Sequence, residues 1–199
     1  MIHPSTELKT INKTIGYGVV AAEFIPEGTI IWTLCDFDRI FTPLELSQLP
    51  PHYREIIDKY SYVNSSGETI LCWDYGRYMN HSCSANTFTL DEFNYIAIRN
   101  IHEGEEITCD YAQLNYSVEE LNCSCGQPTC RKIIRNKDVF LYADIWDNAV
   151  YKAFANFSHV KQPLLPFVKN KKYLSALQNG VEKIPTTKIT YIDRKGLFA

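Results

Sequence analysis

Three cysteines fall within eight residues of this chain, Cys123-Ser-Cys125-Gly-Gln-Pro-Thr-Cys130, with Gly126 and Pro128 turning the backbone between them. Thiolates this close in one tight loop suit a tetrahedral metal ion, and three of them leave one ligand position to be filled from elsewhere. Cys35, Cys72, Cys83, Cys109 and the histidines are the candidates. Seven cysteines is an odd count, and Met1-Ile-His-Pro-Ser-Thr-Glu7 has neither the basic nor the apolar region of a secretory signal. Reduced thiols in a cytoplasmic or nuclear setting are therefore expected, not a disulfide framework. At 199 residues the chain can bury a core without such staples. No run approaches the roughly 20 apolar residues of a membrane span, so no membrane association is expected.

Short strands dominate the first half. Gly16-Tyr17-Gly18 sits in a β-prone run, Ile25-Pro-Glu-Gly-Thr-Ile-Ile-Trp32 is a turn feeding a strand, and strand character returns at Ser61–Val63, Thr69–Trp73 and Asn94–Ile98. Between them, Thr42-Pro43-Leu44-Glu45 combines an N-cap, a first-turn proline and a capping-box glutamate, which predicts a helix start. Pro50-Pro51 interrupts it, and Tyr53, Ile56, Ile57 and Tyr60 resume at helical spacing. Ser117-Val-Glu-Glu120 predicts a second capped helix before the cysteine cluster. From Asp138 a helix is expected with Tyr142, Ile145, Trp146, Ala149, Ala153 and Phe157 on one stripe, then a shorter one near Lys171–Gln178 that stops at Gly180. Strands first and helices later read as α+β. The glycine pair lacks the third glycine and the following helix of a dinucleotide-binding turn.

Charge is laid out unevenly: residues 1–87 carry 6 basic and 10 acidic side chains, 88–120 carry 1 and 8, and 121–199 carry 13 and 5. The acidic stretch, with Asp91, Glu92, Glu105 and Glu106, is a candidate surface for a basic polypeptide, with plain solvated charge as the alternative. Lys161–Lys172 is broken by prolines and reads as a solvated face, so direct nucleic-acid binding is not expected. Nothing in the sequence speaks to oligomeric state.

Two further segments carry chemistry. Arg77-Tyr-Met-Asn80-His81-Ser82-Cys83 sets an amide, an imidazole, a hydroxyl and a thiol in succession, and Gly104-Glu-Glu-Ile-Thr-Cys109-Asp110-Tyr111 runs from a turn through a strand to a tyrosine. With Gly16-Tyr17-Gly18 and Cys123-x-Cys125-x4-Cys130 these stand in the order of one family. The chain resembles the SET-domain protein lysine methyltransferases with a post-SET zinc loop, in a compact, bacterial-like form. The likeness covers roughly residues 6–135.

The resemblance implies a SET fold of several small β-sheets with a pseudoknot, in which the Asn80-His81 segment threads beneath the one ending at Tyr111. It divides the chain into a SET domain at 6–112 with a helical insert at 42–60, a post-SET zinc-binding loop at 117–135 and a helical C-terminal extension at 136–199. It implies lysine methylation by S-adenosylmethionine of a basic protein or peptide, a histone-like tail being the natural substrate. A non-histone target, ribosomal or reached by delivery into a host cell, and a catalytically silent zinc-stabilised peptide-binding module are the alternatives. Carried over residue by residue, Tyr111 is catalytic, and Gly16, Tyr17, Gly18, Asn80, His81 and Ile134 contact the cofactor. Cys83, Cys123, Cys125 and Cys130 hold one structural zinc. Cys109 stands two before the tyrosine, where Phe or Tyr is common. Its smaller side chain favours di- or trimethylation. Trp32-Thr-Leu-Cys-Asp-Phe37 departs from the Gly-Glu pair of many members.

Overall fold

The computed structural model describes residues 1–114 and 120–190. In chain order its elements are β1 (Thr6–Asn12), β2 (Gly16–Ala21), β3 (Ile30–Thr33), β4 (Arg39–Phe41), α1 (Pro43–Ser47), α2 (Pro51–Tyr60), β5 (Ser61–Val63), β6 (Thr69–Leu71) and β7 (Asn80–His81). Then come β8 (Thr87–Asp91), β9 (Asn94–Ala97), β10 (Thr108–Cys109), β11 (Glu120–Asn122), β12 (Ile133–Arg135), α3 (Val139–Phe154) and α4 (Lys171–Gln178). Among the described residues the strands form five small sheets: β1-β2, β4-β6-β5, β3-β9-β8, β11-β12 and the parallel pair β7-β10. Mixed α and β structure with several small sheets agrees with the α+β reading.

Local signals account for much of this. At α1 the capping box closes both ways: Glu45 N–H donates to Thr42 Oγ1 at 3.2 Å, and Thr42 N–H donates to the Glu45 carboxylate at 2.8 Å. That carboxyl is held below its ordinary range, first by the backbone bond from Thr42. In α2 the expected stripe is partly solvent: Ile57 is buried, whereas Tyr53 and Ile56 are exposed. The β1-β2 turn is fastened by Asn12, whose side-chain oxygen accepts from Thr14 and Ile15 N–H, and Gly16 follows in the left-handed region at φ +84°.

Two expectations need correction. The second capped helix falls partly outside the described residues, since Ser117 is among 115–119; where description resumes, Glu120 opens β11, which pairs with β12. Backbone pairing across the cysteine loop has overridden the local helix signal. In α3 the buried residues are Val139, Ala143, Trp146, Val150 and Ala153, whereas Ile145 is exposed. Of the expected stripe, Trp146, Ala153 and Phe157 are buried and Tyr142 and Ala149 pack against the core, so the correction concerns Ile145; Val139, Ala143 and Val150 complete the face that α3 presents to the β3-β9-β8 sheet. It packs in one core cluster with Ile30, Phe88, Leu90 and Ile96. A second cluster joins Val19, Ile31, Trp32, Ile70, Tyr95 and Cys109 on the side where the site lies.

Candidate active site and metal centre

The pairing of β7 with β10, Asn80 opposite Thr108 and His81 opposite Cys109, brings the two chemical segments of the sequence side by side. Ser82 N–H extends the contact to Cys109 O at 3.1 Å. Tyr111 opens a 3-10 turn just beyond β10, and Asp110 caps that turn by accepting from Ala112 N–H at 3.1 Å. Tyr111 N–H donates to His81 Nδ1 at 3.1 Å, and its hydroxyl donates to Met79 O at 3.0 Å. The tyrosine is thus fixed at both ends by the neighbouring segment.

Tyr111 and Cys109 line a cavity of about 80 Å³ whose walls include Trp32, Tyr60, Tyr62 and Tyr95. Burial keeps the phenols of Tyr62 and Tyr95 protonated by pushing them well above their ordinary value, and it pushes the Cys109 and Cys72 thiols up as well. Two polar atoms of the lining, Trp32 Nε1 and Tyr62 Oη, are buried without a hydrogen-bond partner among the described residues. Among the described residues the lining includes the cations of Lys59 and Arg77 and no carboxylate. An apolar, aromatic slot with unspent hydrogen-bonding groups and positive charge fits a long neutral chain ending in an uncharged polar atom.

Gly16, Tyr17, Gly18, Asn80 and Glu106 meet beside this slot. Asn80 Nδ2 donates to Tyr17 O at 2.9 Å and to Glu106 Oε1 at 2.7 Å. The two glycines serve different needs. A Cβ at Gly16 would meet nothing within 4 Å, leaving open backbone that a ligand can approach. A Cβ at Gly18 would lie 2.5 Å from Glu106 Oε1, 2.6 Å from Ile11 Cγ1 and 2.8 Å from Asn80 Nδ2. Tyr17 is exposed and packs edge-on against Tyr78 at 6.0 Å. This open edge with fixed amide and carbonyl groups fits a cofactor with polar extremities. Ile134 lies on β12, buried in the core cluster that includes Ala112 and Val139.

Three of the four expected thiols gather with an imidazole, and Cys130 lies outside that group. Ligand atoms of His81, Cys83, Cys123 and Cys125 all lie within 4.8 Å of one another. Cys123 Sγ is 3.8 Å from Cys83 Sγ and 3.6 Å from Cys130 Sγ. Sulfurs bound tetrahedrally at about 2.3 Å from one zinc stand about 3.8 Å apart, so the donor set fits that ion; a disulfide needs about 2.0 Å. Burial raises the thiols of Cys83 and Cys123. For Cys125 burial is outweighed by hydrogen bonds from the Cys83 and Gln127 backbone and from Cys123 and Cys130, which bring it down to about 7. His81, placed at the cofactor by the resemblance, is a member of this cluster, with Nε2 3.3 Å from Cys83 Sγ. Burial, with the Arg131 charge, lowers it to about 3, so the ring is neutral. Since Nδ1 accepts from Tyr111 N–H, Nε2 carries the proton and donates to the sulfur.

Sequence reasoning missed the buried charges that frame the site. Asp110 is 2% exposed and takes a 2.5 Å hydrogen bond from Arg131 Nη2. Nothing in the local pattern marks either residue, beyond their lying next to Tyr111 and Cys130. The proposed acidic docking stretch is also largely spent internally. Asp91 is buried against Asn94 and Asn170, Glu105 pairs with Arg99, and Glu106 holds Asn80.

Residues 16–112 match the family model of the SET domain. A histone-lysine N-methyltransferase, H3 lysine-36 specific, of Candida albicans is 30% identical over 147 residues, covering 66% of this chain and 16% of the relative. A protein of the same description from Debaryomyces hansenii is 27% identical over 194 residues, covering 90% and 25%. The chain thus spans a quarter or less of the length of these curated relatives. The crystal structure of KRYPTONITE in complex with mCHG DNA and SAH aligns with TM-score 0.45 and 21% identity over 64% of this chain and 29% of that one. No helix among the described residues is long and apolar enough to cross a membrane.

Proposed function

We propose, from the premise that this chain carries a SET domain, that it transfers a methyl group from S-adenosylmethionine to a lysine side chain of a protein substrate. A basic histone-like tail is the substrate class, and a nuclear or cytoplasmic setting follows from it. The observation that carries the reading is the aromatic cavity ending at Tyr111, lined by cationic Lys59 and Arg77 and, among the described residues, with Trp32 Nε1 and Tyr62 Oη unpartnered and no carboxylate in its wall. Under this reading residues 6–112, with the insert 42–60, are the catalytic domain, 117–135 a zinc loop and 136–199 a helical extension.

When bound, S-adenosylmethionine supplies an electrophilic methyl group on a positively charged sulfonium. Gly16, Tyr17, Gly18, Asn80, His81 and Ile134 would hold it. Cys83, Cys123, Cys125 and Cys130 would hold a zinc ion whose work is structural. The remaining chemistry belongs to the channel. A lysine amine near pKa 10.4 in water is almost wholly protonated at neutral pH and cannot attack. Apolar walls strip its solvent, and Lys59 and Arg77 repel a second cation, so both effects favour loss of the proton to water as the side chain enters. Among the described residues no carboxylate in the lining re-stabilises the ammonium. Tyr111, its proton committed to Met79 O, turns oxygen lone pairs toward an amine N–H and aligns the nitrogen for in-line attack. Cys109, small and neutral at the cavity wall, leaves room for an amine that already carries methyl groups.

The test is incubation with labelled S-adenosylmethionine and, separately, core histones, ribosomes and whole lysate, with the mass increment located on lysine. Transfer to histone tails, cut at least about a hundredfold by Tyr111→Phe, is the expected result. Transfer confined to ribosomes or lysate proteins moves the substrate class. Binding of the cofactor with no transfer to any of them would sink the enzyme and leave the silent peptide-binding module.

A further inference from the structure

Arg131 follows the last cysteine of the loop, yet its guanidinium reaches Asp110 in the segment that carries Tyr111. Its backbone N–H donates to Cys83 Sγ at 3.3 Å. Its guanidinium, 11% exposed, donates to Asp110 Oδ1 at 2.5 Å, lies 3.4 Å from Asp138 Oδ2 and stacks over the Tyr142 ring at 4.9 Å. Asp110 in turn caps the turn on which Tyr111 sits. His81 makes a second bridge between the same two places, from Cys83 Sγ to Tyr111 N–H. Removing one partner of a buried ion pair leaves a charge with neither water nor a counter-ion, so the Asp110 cap holds its place only while Arg131 is seated. Arg131 can seat only when the loop that ends at Cys130 has closed.

We infer that Arg131 is a positioning residue that couples closure of the cysteine loop to the placement of Tyr111. This rests on reading Tyr111 as the catalytic residue and the loop as metal-bound. Loading of the loop is then felt at residues 108–114, which supply none of the loop's cysteines. An Arg131 that served only to hold its own loop against Tyr142 would have no effect there.

The experiment is hydrogen exchange read by mass spectrometry on the full chain, with zinc and with a chelator, alongside steady-state methyl transfer. In the unaltered protein zinc slows exchange in 108–114 as well as in 120–135. In Arg131→Met the zinc-dependent protection of 108–114 falls at least about tenfold, and kcat falls comparably while KM for the peptide stays within about twofold. Arg131→Lys keeps a cation beside Asp110 and recovers part of both. Arg131→Met combined with Asp110→Asn removes the orphaned carboxylate, so it regains thermal stability without regaining the zinc-linked protection. The inference is overturned if zinc leaves 108–114 unprotected in the unaltered chain, or if the double variant responds to zinc as the unaltered chain does. A protein that transfers no methyl groups but shows the Arg131-dependent protection would defeat the functional reading and leave the coupling standing.

Discussion

Gly18→Ala tests whether this glycine is kept for a ligand's approach or for the protein's own packing. The added Cβ would lie 2.5 Å from Glu106 Oε1, 2.6 Å from Ile11 Cγ1 and 2.8 Å from Asn80 Nδ2, all closer than van der Waals contact allows. Each of those atoms belongs to a side chain, so the strain is relieved by moving them. Moving Asn80 and Glu106 breaks their mutual bond at 2.7 Å and the bond from Asn80 to Tyr17 O at 2.9 Å. Overpacking costs about 1–3 kcal/mol, and each of the two lost hydrogen bonds adds about 0.5–1.5 kcal/mol, for a total of about 2–6 kcal/mol. For a domain of this size each kcal/mol lowers Tm by about 2–4 °C, so a drop of at least about 4 °C is expected. Gly16→Ala meets no atom and carries only the left-handed backbone penalty of about 1–2 kcal/mol. Paired thermal melts without ligand therefore rank Gly18→Ala as the more damaging. Equal melts for the two variants, or a worse one for Gly16→Ala, would refute the packing account of Gly18.

Trp146→Ala removes a side chain buried between Phe88 and Tyr142 and is expected to cost about 3–5 kcal/mol in urea unfolding, whereas Ile145→Ala, one residue away and exposed, should stay within about 0.5 kcal/mol. His3, which burial lowers to about 4, stays neutral in the folded chain while the unfolded chain protonates near 6.5. The unfolded state thus binds the extra proton between those values, so stability is full above about pH 6.5 and falls as pH drops toward 4. His3→Gln should flatten that part of a Tm-against-pH curve, and an unchanged slope would remove His3 as a contributor. Cys109→Tyr fills cavity wall beside Tyr111, so intact-mass analysis of product peptides should shift from di- and trimethyl species toward monomethyl; an unchanged distribution would free Cys109 from product control.

Legibility in the sequence followed the range of the interaction. The Thr42-Glu45 box depends on atoms three residues apart and formed as expected, and the Cys123-Cys130 spacing brought its sulfurs together for the same reason. Ser117-Glu120 looked equally local, but Glu120–Asn122 found better backbone partners in Ile133–Arg135, and a strand pair formed there. Helical periodicity showed that α3 exists and put Trp146, Ala153 and Phe157 on its buried face, but it misplaced Ile145. The choice between Ile145 and Val150 for the core is made by the sheet it covers, a contact spanning some fifty residues of sequence. Asp110 and Arg131 were invisible for a related reason. A buried ion pair leaves no periodic trace, and each member alone reads as a surface charge.

The pair β7-β10 raises a physical question, because two residues on each strand cannot hold a parallel sheet together unaided. What keeps it in place comes from side chains on other segments. Asn86, 1% exposed, donates to Glu106 O at 2.8 Å and accepts from Thr108 N–H at 2.9 Å, and Thr87 Oγ1 donates to Thr108 O at 2.9 Å. Those bonds fix the strand leading into Tyr111 from one end. His81 and Arg131 fix the turn that carries it from the other. Tyr111 therefore owes its position to a polar network whose members each bridge two or more segments, so loss of one member is felt at several of the others. That arrangement explains how a site assembled from sheets too small to be stable alone can hold a hydroxyl in a fixed place, and why its integrity depends on a cysteine loop distant in sequence.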